Sequence, residues 1–98
     1  PIVCTDIFVY GVNATLTDAE TGELIEGATL TLTEGSYSET MEAASAGQYF
    51  GAGERAGTYT LNVEADGYES QTVTGIVVGA DECHVIPVTL TVELTPTG

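Results

Sequence analysis

The sequence contains no lysine and no tryptophan, and it has only one arginine and one histidine. Against that single arginine, Arg55, stand fifteen aspartates and glutamates, so the formal net charge at pH 7 is −14. A surface with this charge repels the phosphates of nucleic acids and the headgroups of anionic lipids. We therefore expect neither nucleic-acid binding nor electrostatic docking on a membrane.

Long hydrophobic runs are also absent. No stretch approaches about 18 consecutive apolar residues, so the sequence predicts no transmembrane segment. The 98 residues, of which 43% are hydrophobic, are sufficient for one globular domain with one core. The chain opens with Pro1 rather than methionine, which is compatible with the removal of a signal peptide or of a larger preceding region.

Alternation of aliphatic and polar residues is the strongest pattern in the sequence. It recurs in four segments, which are Val12–Thr17, Ala28–Thr33, Tyr59–Glu64 and Val88–Thr95. Alternation with a period of two predicts β-strands with one buried face and one wet face. With the turn residues between them, these segments predict about seven or eight short strands in an all-β, two-sheet sandwich. The segment Tyr37–Ala46 is ambiguous, because Met41–Ala44 is compatible with a helical turn.

The order of turns and strands resembles the carboxypeptidase regulatory-like domain, which groups with the transthyretin-like and Cna-B-type sandwiches. The matching elements are Asp18 with Thr21-Gly22, Gly27-Ala28, Gly47-Gln48-Tyr49, Gly57-Thr58-Tyr59 and Ala65-Asp66-Gly67-Tyr68. The resemblance implies a Greek-key sandwich of the prealbumin/transthyretin type that serves as a non-catalytic module of extracellular or periplasmic proteins. It covers about residues 12–94 of a single domain. We interpret residues 1–11 as an added N-terminal edge strand and residues 95–98 as a tail.

Two glycines and one tyrosine of the matching elements have predicted structural roles. Gly22 and Gly67 occupy turn positions that favour a positive φ, which glycine adopts without steric cost. Tyr68 follows the second turn directly. We expect its ring to cover the end of the sandwich and its hydroxyl to cap a backbone group.

The segment Asp81-Glu82-Cys83-His84-Val85 places the only histidine beside one of the two cysteines. A metal site needs three or four converging ligands, which this inventory hardly supplies. A nucleophile and its base must meet, but neighbours on a strand point to opposite faces. If the alternation of the last strand extends back through Pro87, Cys83 faces solvent and His84 points inward. A bulge near Pro87 would exchange them.

A disulfide between Cys4 and Cys83 is the interpretation that we favour, with free buried thiols and metal ligation as alternatives. The bridge would contribute on the order of 4 kcal/mol in the chain-entropy model. A paired cysteine count suits an oxidising compartment. We accordingly expect a secreted, periplasmic or cell-envelope protein.

Two weaker sets of site residues remain. We assign no metal site, but the acidic turn offers candidate calcium ligands at Asp18, Glu20, Glu23 and Glu26. A solvated hairpin end is the alternative, because the turn lacks the spacing of an EF-hand. For carbohydrate, a platform needs exposed aromatic rings. Alternation turns Tyr59 inward, whereas it does not assign a face to Tyr37 and Tyr49, which are therefore the candidates; packing in the core or at a corner is the alternative for each.

The sequence therefore predicts a non-catalytic accessory or interaction module of a bacterial secreted or envelope protein. The alternative is a carbohydrate- or calcium-binding module. No phosphate-binding loop, nucleophile elbow or histidine pair points to an enzyme. Intramolecular isopeptide cross-linking needs a lysine and is excluded, since the chain has none. We expect a monomer without a cofactor, whose partner is a protein or a polysaccharide.

Overall fold

A computed structural model of the protein describes residues 8–97. Within that range the chain forms strands and no helix. The strands are β1 (Tyr10–Asp18), β2 (Thr29–Glu34), β3 (Tyr37–Thr40), β4 (Glu42–Ala43), β5 (Gln48–Gly53), β6 (Gly57–Glu64), β7 (Gln71–Val78) and β8 (Val88–Leu94). The all-β prediction is confirmed. The ambiguous segment around Met41–Ala44 contains the short strand β4 and not a helical turn.

The strands form two four-stranded sheets. Sheet A has the order β4-β5-β1-β8, and sheet B has the order β3-β2-β6-β7. Sheet B is antiparallel throughout. In sheet A, β1 and β8 run parallel, from the pair Val12 and Val88 to the pair Asp18 and Leu94. The chain changes sheet after β1, β3, β5 and β7, which confirms the predicted two-sheet sandwich.

The core lies between the two sheets and follows the alternation of the sequence. In β8, Val92 and Leu94 are buried while the intervening residue Glu93 is exposed. In β6, Tyr59, Leu61 and Val63 are buried. The other strand residues of the buried hydrophobic core are Val12, Ala14, Leu16, Leu30, Leu32, Tyr49, Ala52, Ile76 and Val78. Truncation of one such leucine to alanine typically costs about 2–5 kcal/mol, so this layer dominates the stability of the domain.

Positive φ angles occur at the two glycines for which the sequence predicts them and also at two residues that carry a side chain. Gly22 has a φ of 78° and Gly67 a φ of 83°, as expected for these turns. Ala52 and Glu54, at the end of β5 and just after it, have φ angles of 53° and 50°. A side chain disfavours this left-handed region, so this segment is held by its surroundings.

The structure describes most of the predicted C-terminal tail and only part of the predicted N-terminal edge strand. Of the predicted tail, Thr97 donates its N–H to the carbonyl of Gly67 at 3.0 Å, and Thr95 accepts from the N–H of Glu69 at 2.8 Å. Residues 1–7 of the predicted edge strand lie outside the described residues, and Tyr10 and Gly11 begin β1 between β5 and β8. In the part of the chain that the structure describes, no helix has the length and hydrophobicity to cross a membrane.

Candidate functional site

The loop that carries Cys83 and His84 is closed by Asp81. Its Oδ1 accepts the backbone N–H of Cys83 at 2.8 Å and that of His84 at 2.9 Å. These bonds, that of His84 first, lower the pKa of Asp81. The loop lies outside the strands, since β8 begins at Val88. The alternation of β8 therefore does not extend back to Cys83 and His84, and their orientation is set by the loop instead.

His84 joins this loop to the connection between β5 and β6. Its Nδ1 lies 2.7 Å from Oε2 of Glu54, and the same oxygen accepts the N–H of Val9 at 2.9 Å. Partial burial, the largest influence on Glu54, raises its pKa, but the hydrogen bonds from Val9 and His84 outweigh it and the pKa is lowered overall. The contact fixes two loops against each other, and the N–H of Glu54 also donates to the carbonyl of Val9 at 2.8 Å.

The predicted disulfide falls partly on residues that the structure does not describe. Cys4 lies outside the described residues, so its pairing with Cys83 stays a prediction. The described part of the chain has no free cysteine.

The first calcium candidate, Asp18, is used by its own turn. Only 8% of its surface is exposed. Its Oδ1 accepts the N–H groups of Glu20 at 2.7 Å and Thr21 at 3.0 Å, and its Oδ2 accepts the hydroxyl of Tyr68 at 2.8 Å. The bonds from Thr21 and Glu20, followed by that from Tyr68, lower the pKa of Asp18. The carboxylate therefore holds the turn and the end of the sandwich together.

The remaining calcium candidates, Glu20, Glu23 and Glu26, are exposed. Among residues 8–97 no group of three or more histidine, cysteine, aspartate or glutamate side chains is placed to hold a metal ion. The structure thus does not bring the four candidates together. The expectation for Tyr68 was wrong in one detail, because its hydroxyl donates to the Asp18 carboxylate and not to a backbone carbonyl.

The two aromatic candidates for a sugar platform lie in different surroundings. Tyr49 is 2% exposed, and its hydroxyl donates to the carbonyl of Ile25 at 3.0 Å and accepts the N–H of Ala28 at 3.2 Å. Its ring belongs to the core and offers no face to a ligand. Tyr37 is half-buried, and the Arg55 guanidinium covers one face of its ring at 3.6 Å from the ring centroid.

Arg55 contacts three other side chains, and we call the four residues the Arg55 cluster: Glu34, Tyr37, Arg55 and Tyr59. Its Nη1 lies 2.8 Å from Oε1 of Glu34 and 2.9 Å from the hydroxyl oxygen of Tyr59. The Tyr59 hydroxyl in turn donates to the carbonyl of Arg55 at 2.8 Å. These hydrogen bonds raise the pKa of Arg55. The one arginine of the chain is therefore engaged within the molecule.

Three other aromatic side chains form a patch on the surface, which we call the aromatic patch: Phe8, Tyr10 and Phe50. The rings of Phe8 and Tyr10 meet edge to face with centroids 5.1 Å apart, and those of Tyr10 and Phe50 are stacked with centroids 5.5 Å apart. Phe8 is 63% exposed. None of the three belongs to the buried core cluster or packs against it. The patch therefore leaves apolar surface in contact with water.

The alternation of buried and less buried residues in β1 is interrupted beside Tyr10. Tyr10 pairs with Gly53 and Val12 with Gly51, but the intervening pair is missing. Gly11 and Val12 are both buried, and a Cβ on Gly11 would meet Val78 of sheet B at 2.7 Å. Two successive buried positions thus interrupt the alternation, and Tyr10 lies on the face directed away from sheet B.

Two further contacts shape the patch. A Cβ on Gly53 would overlap the ring of Phe8, so the glycine allows that ring to lie on the strand. The Tyr10 hydroxyl donates to Oε2 of Glu42 at 3.1 Å. That hydrogen bond is the main reason why the pKa of Tyr10 is raised. A carboxylate therefore borders the patch.

Sequence reasoning did not single out this patch, although part of its signal was present. Phe8 and Tyr10 are two positions apart, a spacing that places two side chains on one face of an extended chain. The third member, Phe50, is 40 positions beyond Tyr10 by numbering (50 − 10), and only the pairing of β1 with β5 brings it close. The register could not be derived from the sequence pattern alone.

Two four-stranded sheets with a shared core, whose loops are held by carboxylates, define a β-sandwich module. This chain belongs to the family of the carboxypeptidase regulatory-like domain, whose family model matches residues 11–95. The resemblance seen in the sequence is thereby confirmed. Domains of this family are in general non-catalytic. A search of the curated proteins found no match to the chain.

Proposed function

We propose that the protein is a non-catalytic accessory or interaction module of a bacterial secreted or cell-envelope protein. It contacts its partner through the outer face of sheet A, the face directed away from sheet B. The single observation that carries the proposal is the aromatic patch, which lies outside the core with Phe8 63% exposed.

The roles of the acidic side chains support a module rather than an enzyme. Asp18, Glu34, Glu54 and Asp81 each accept at least one backbone N–H, and these bonds lower the pKa of each carboxyl. A general acid at neutral pH needs a raised pKa, so these environments have the opposite effect. The carboxylates are placed to close turns and to join loops.

The energetics of association favour the aromatic patch as the contact. Burial of apolar surface contributes about 25 cal/mol per Å², and aromatic side chains dominate the binding energy of many protein interfaces. The other large exposed apolar side chains among the described residues, Leu24, Val77 and Ile86, are aliphatic. The patch is thus the place where a partner gains most from contact.

The extracytoplasmic location rests on the proposed bridge between Cys4 and Cys83. It would fasten the N-terminal residues to the loop that Asp81 closes, next to the contact of His84 with Glu54. Thiol counting under denaturing conditions, with and without reductant, tests it. We expect two thiols only after reduction, and two thiols in unreduced, secreted protein would contradict the bridge.

Site-specific photocross-linking tests the proposed interface. A photoreactive phenylalanine analogue replaces Phe8 in one variant and Val77, equally exposed on sheet B, in a control variant. With envelope material of the source bacterium, we expect a discrete adduct from position 8 and none from position 77. The same adducts from both positions, or none from either, would contradict the use of this face.

A direct assay addresses the non-catalytic part of the proposal. The chain is tested against ester, peptide and glycoside substrates, beside the Asp81→Asn variant. We expect no turnover with either protein. Turnover by the natural chain that the Asp81→Asn variant loses would establish an enzyme and overturn the proposal.

A further inference from the structure

We infer that the aromatic patch, together with Glu42, binds an arginine-bearing basic segment of a protein partner. The inference rests on the proposed interaction function and adds the chemistry of the contact. A guanidinium group would lie against the rings and pair with the carboxylate at their edge.

The Arg55 cluster displays this chemistry within the molecule. The Cζ atom of Arg55 lies 3.6 Å from the centroid of the Tyr37 ring and 5.6 Å from that of Tyr59. The same guanidinium forms an ion pair with Glu34 at 2.8 Å. A planar cation is thus held by ring faces and a carboxylate at once, an arrangement that suits arginine better than lysine.

The aromatic patch contains a comparable set of groups without the arginine: a tyrosine, a second ring and a carboxylate that accepts the tyrosine hydroxyl. The Tyr10 hydroxyl donates to Glu42 at 3.1 Å, as the Tyr37 hydroxyl donates to Glu39 at 2.7 Å. Each tyrosine has a second ring beside it, which is stacked on Tyr10 in the patch, with centroids 5.5 Å apart, and edge to face with Tyr37 in the cluster, with centroids 6.4 Å apart. In both places a carboxylate adds negative charge at the hydroxyl end of a tyrosine ring, which favours a cation beside that ring.

The cation at the patch cannot come from the lysines or arginines of this chain. The sequence has no lysine, and its only arginine, Arg55, is already paired with Glu34. The only histidine, His84, lies against Glu54. A second copy of the chain has the same inventory and the same net charge of −14, so it would be repelled. The complementary cation therefore lies outside these 98 residues.

The net negative charge of the surface also favours binding of a basic segment. A net charge of −14 attracts a basic segment over a distance of about one Debye length and accelerates its encounter with the domain. Charge alone does not choose a place on the surface. The rings of the patch supply that choice, because they add short-range contacts for a guanidinium that exposed carboxylates elsewhere lack.

Fluorescence anisotropy with the full chain tests the inference. The probe is a labelled peptide of alternating arginine and glycine, compared with a peptide in which lysine replaces arginine. We expect tighter binding of the arginine peptide and weaker binding of both peptides as the salt concentration rises. Equal binding of the two peptides would show attraction by charge alone and would overturn the inference.

Variants locate the contact. We expect Phe8→Ala to weaken binding of the arginine peptide by roughly fivefold, and Val77→Ala, at a position of equal exposure, to leave it unchanged. Glu42→Gln should weaken binding more than Glu69→Gln, which removes the same charge from an exposed position elsewhere. Equal effects within each pair would contradict the assignment. Dichroism and thermal melting confirm that each variant is folded.

Two outcomes separate this inference from the proposed function. If a photoreactive group at position 8 forms an adduct with a partner but the affinity of the arginine peptide is the same for the natural chain and the Phe8→Ala variant, the interaction module stands and the basic ligand does not. Binding of a neutral oligosaccharide such as cellohexaose, independent of salt and lost in Phe8→Ala, would replace the basic segment with a sugar.

Discussion

Two loops of this molecule are built on the same local rule and anchored in different ways. In the Asp18 turn and in the Asp81 loop, one aspartate oxygen accepts two backbone N–H groups that follow it in the chain. The Asp18 carboxylate is buried and accepts a third hydrogen bond from Tyr68, which lies 50 residues further along the chain. The Asp81 carboxylate is exposed, and its loop is joined to the body by His84 and Glu54.

The comparison teaches that a local turn motif closes a loop but does not determine how firmly the loop is held. Ser, Thr, Asn and Asp side chains accept nearby backbone N–H groups wherever the chain turns. The contribution to global stability comes from the tertiary partner, which is a tyrosine hydroxyl at one loop and an imidazole at the other. The proposed bridge through Cys83 would add a covalent anchor to the second loop alone.

The largest expected effect comes from the proposed bridge. The variant in which serine replaces both Cys4 and Cys83 should lose about 4 kcal/mol of unfolding free energy, because the open chain gains entropy in its unfolded state. Urea denaturation measures the loss. Addition of reductant to the natural protein should reproduce it and should have no effect on the double variant. A natural protein that is insensitive to reductant under denaturing conditions would remove the covalent anchor from the comparison.

The next largest effect is expected at the buried aspartate. Asp18→Ala removes acceptors for Glu20, Thr21 and Tyr68 at once, so Tm should fall by an amount on the order of 10 °C. Asp81→Ala removes acceptors for Cys83 and His84 at an exposed site and should lower Tm by less than half as much. Equal falls in the two variants would show that the local bonds, and not the tertiary contact, set the stability.

Acidification should reveal a larger contribution to stability from the Asp18 carboxylate than from the Asp81 carboxylate. The pKa of Asp18 in the folded protein is below its ordinary value, so its ionised form stabilises the fold. That contribution is complete above about pH 4 and is lost as the pH falls through the lowered pKa. Melting curves from pH 7 to pH 2 should therefore show a smaller acid-dependent fall in Asp18→Asn than in the natural protein. If Asp81→Asn flattens the profile more than Asp18→Asn does, the ranking is wrong.

The hydroxyl of Tyr68 should have a smaller effect than the carboxylate that it contacts. Tyr68→Phe removes one bond of 2.8 Å at a partly buried site, and we expect Tm to fall by roughly 5 °C. Tyr10→Phe is the matched control, since it removes a bond of 3.1 Å to Glu42 at an exposed site. Its Tm should stay within about 2 °C of the natural value. A larger fall in the control would mean that exposure does not decide the strength of these contacts.

The smallest effect is expected for the imidazole anchor. His84→Asn shortens the side chain that reaches Glu54, and the loop should open more often while the core is unaffected. Hydrogen exchange should accelerate at residues 81–85 and stay unchanged in β6. Equal acceleration in β6 would show that the loop is part of the cooperative unit.

The strands and the core were predictable because their signal is local and repeated. The alternation in β6 and β8 places a buried residue at every second position, and the structure follows it. The alternation around Tyr49 was too short to decide its orientation, since glycines flank Gln48–Phe50 on both sides. Its ring proved to be buried. A pattern of two or three residues does not fix the face of a strand.

The contacts that connect distant parts of the chain were not predictable. Both Asp18 and Tyr68 were recognised as turn residues, but their hydrogen bond depends on how β1 and β6 end in space. The outward position of Tyr10 depends on the interrupted alternation at Gly11 and Val12, which are both buried, and the pattern of polar and apolar residues does not show this interruption. Motif spacing describes single elements, whereas these contacts belong to pairs of elements.

The parallel pairing of β1 with β8 has a mechanical consequence. Their ladder extends from the pair Val12 and Val88 to the pair Asp18 and Leu94. In a parallel pair, the start of one strand and the end of the other lie at opposite ends of the ladder. Tension applied through the segments that lead into β1 and out of β8 therefore slides the strands along each other. All hydrogen bonds of the ladder are then loaded at once and not one after another. The domain therefore resists extension along the direction of these strands.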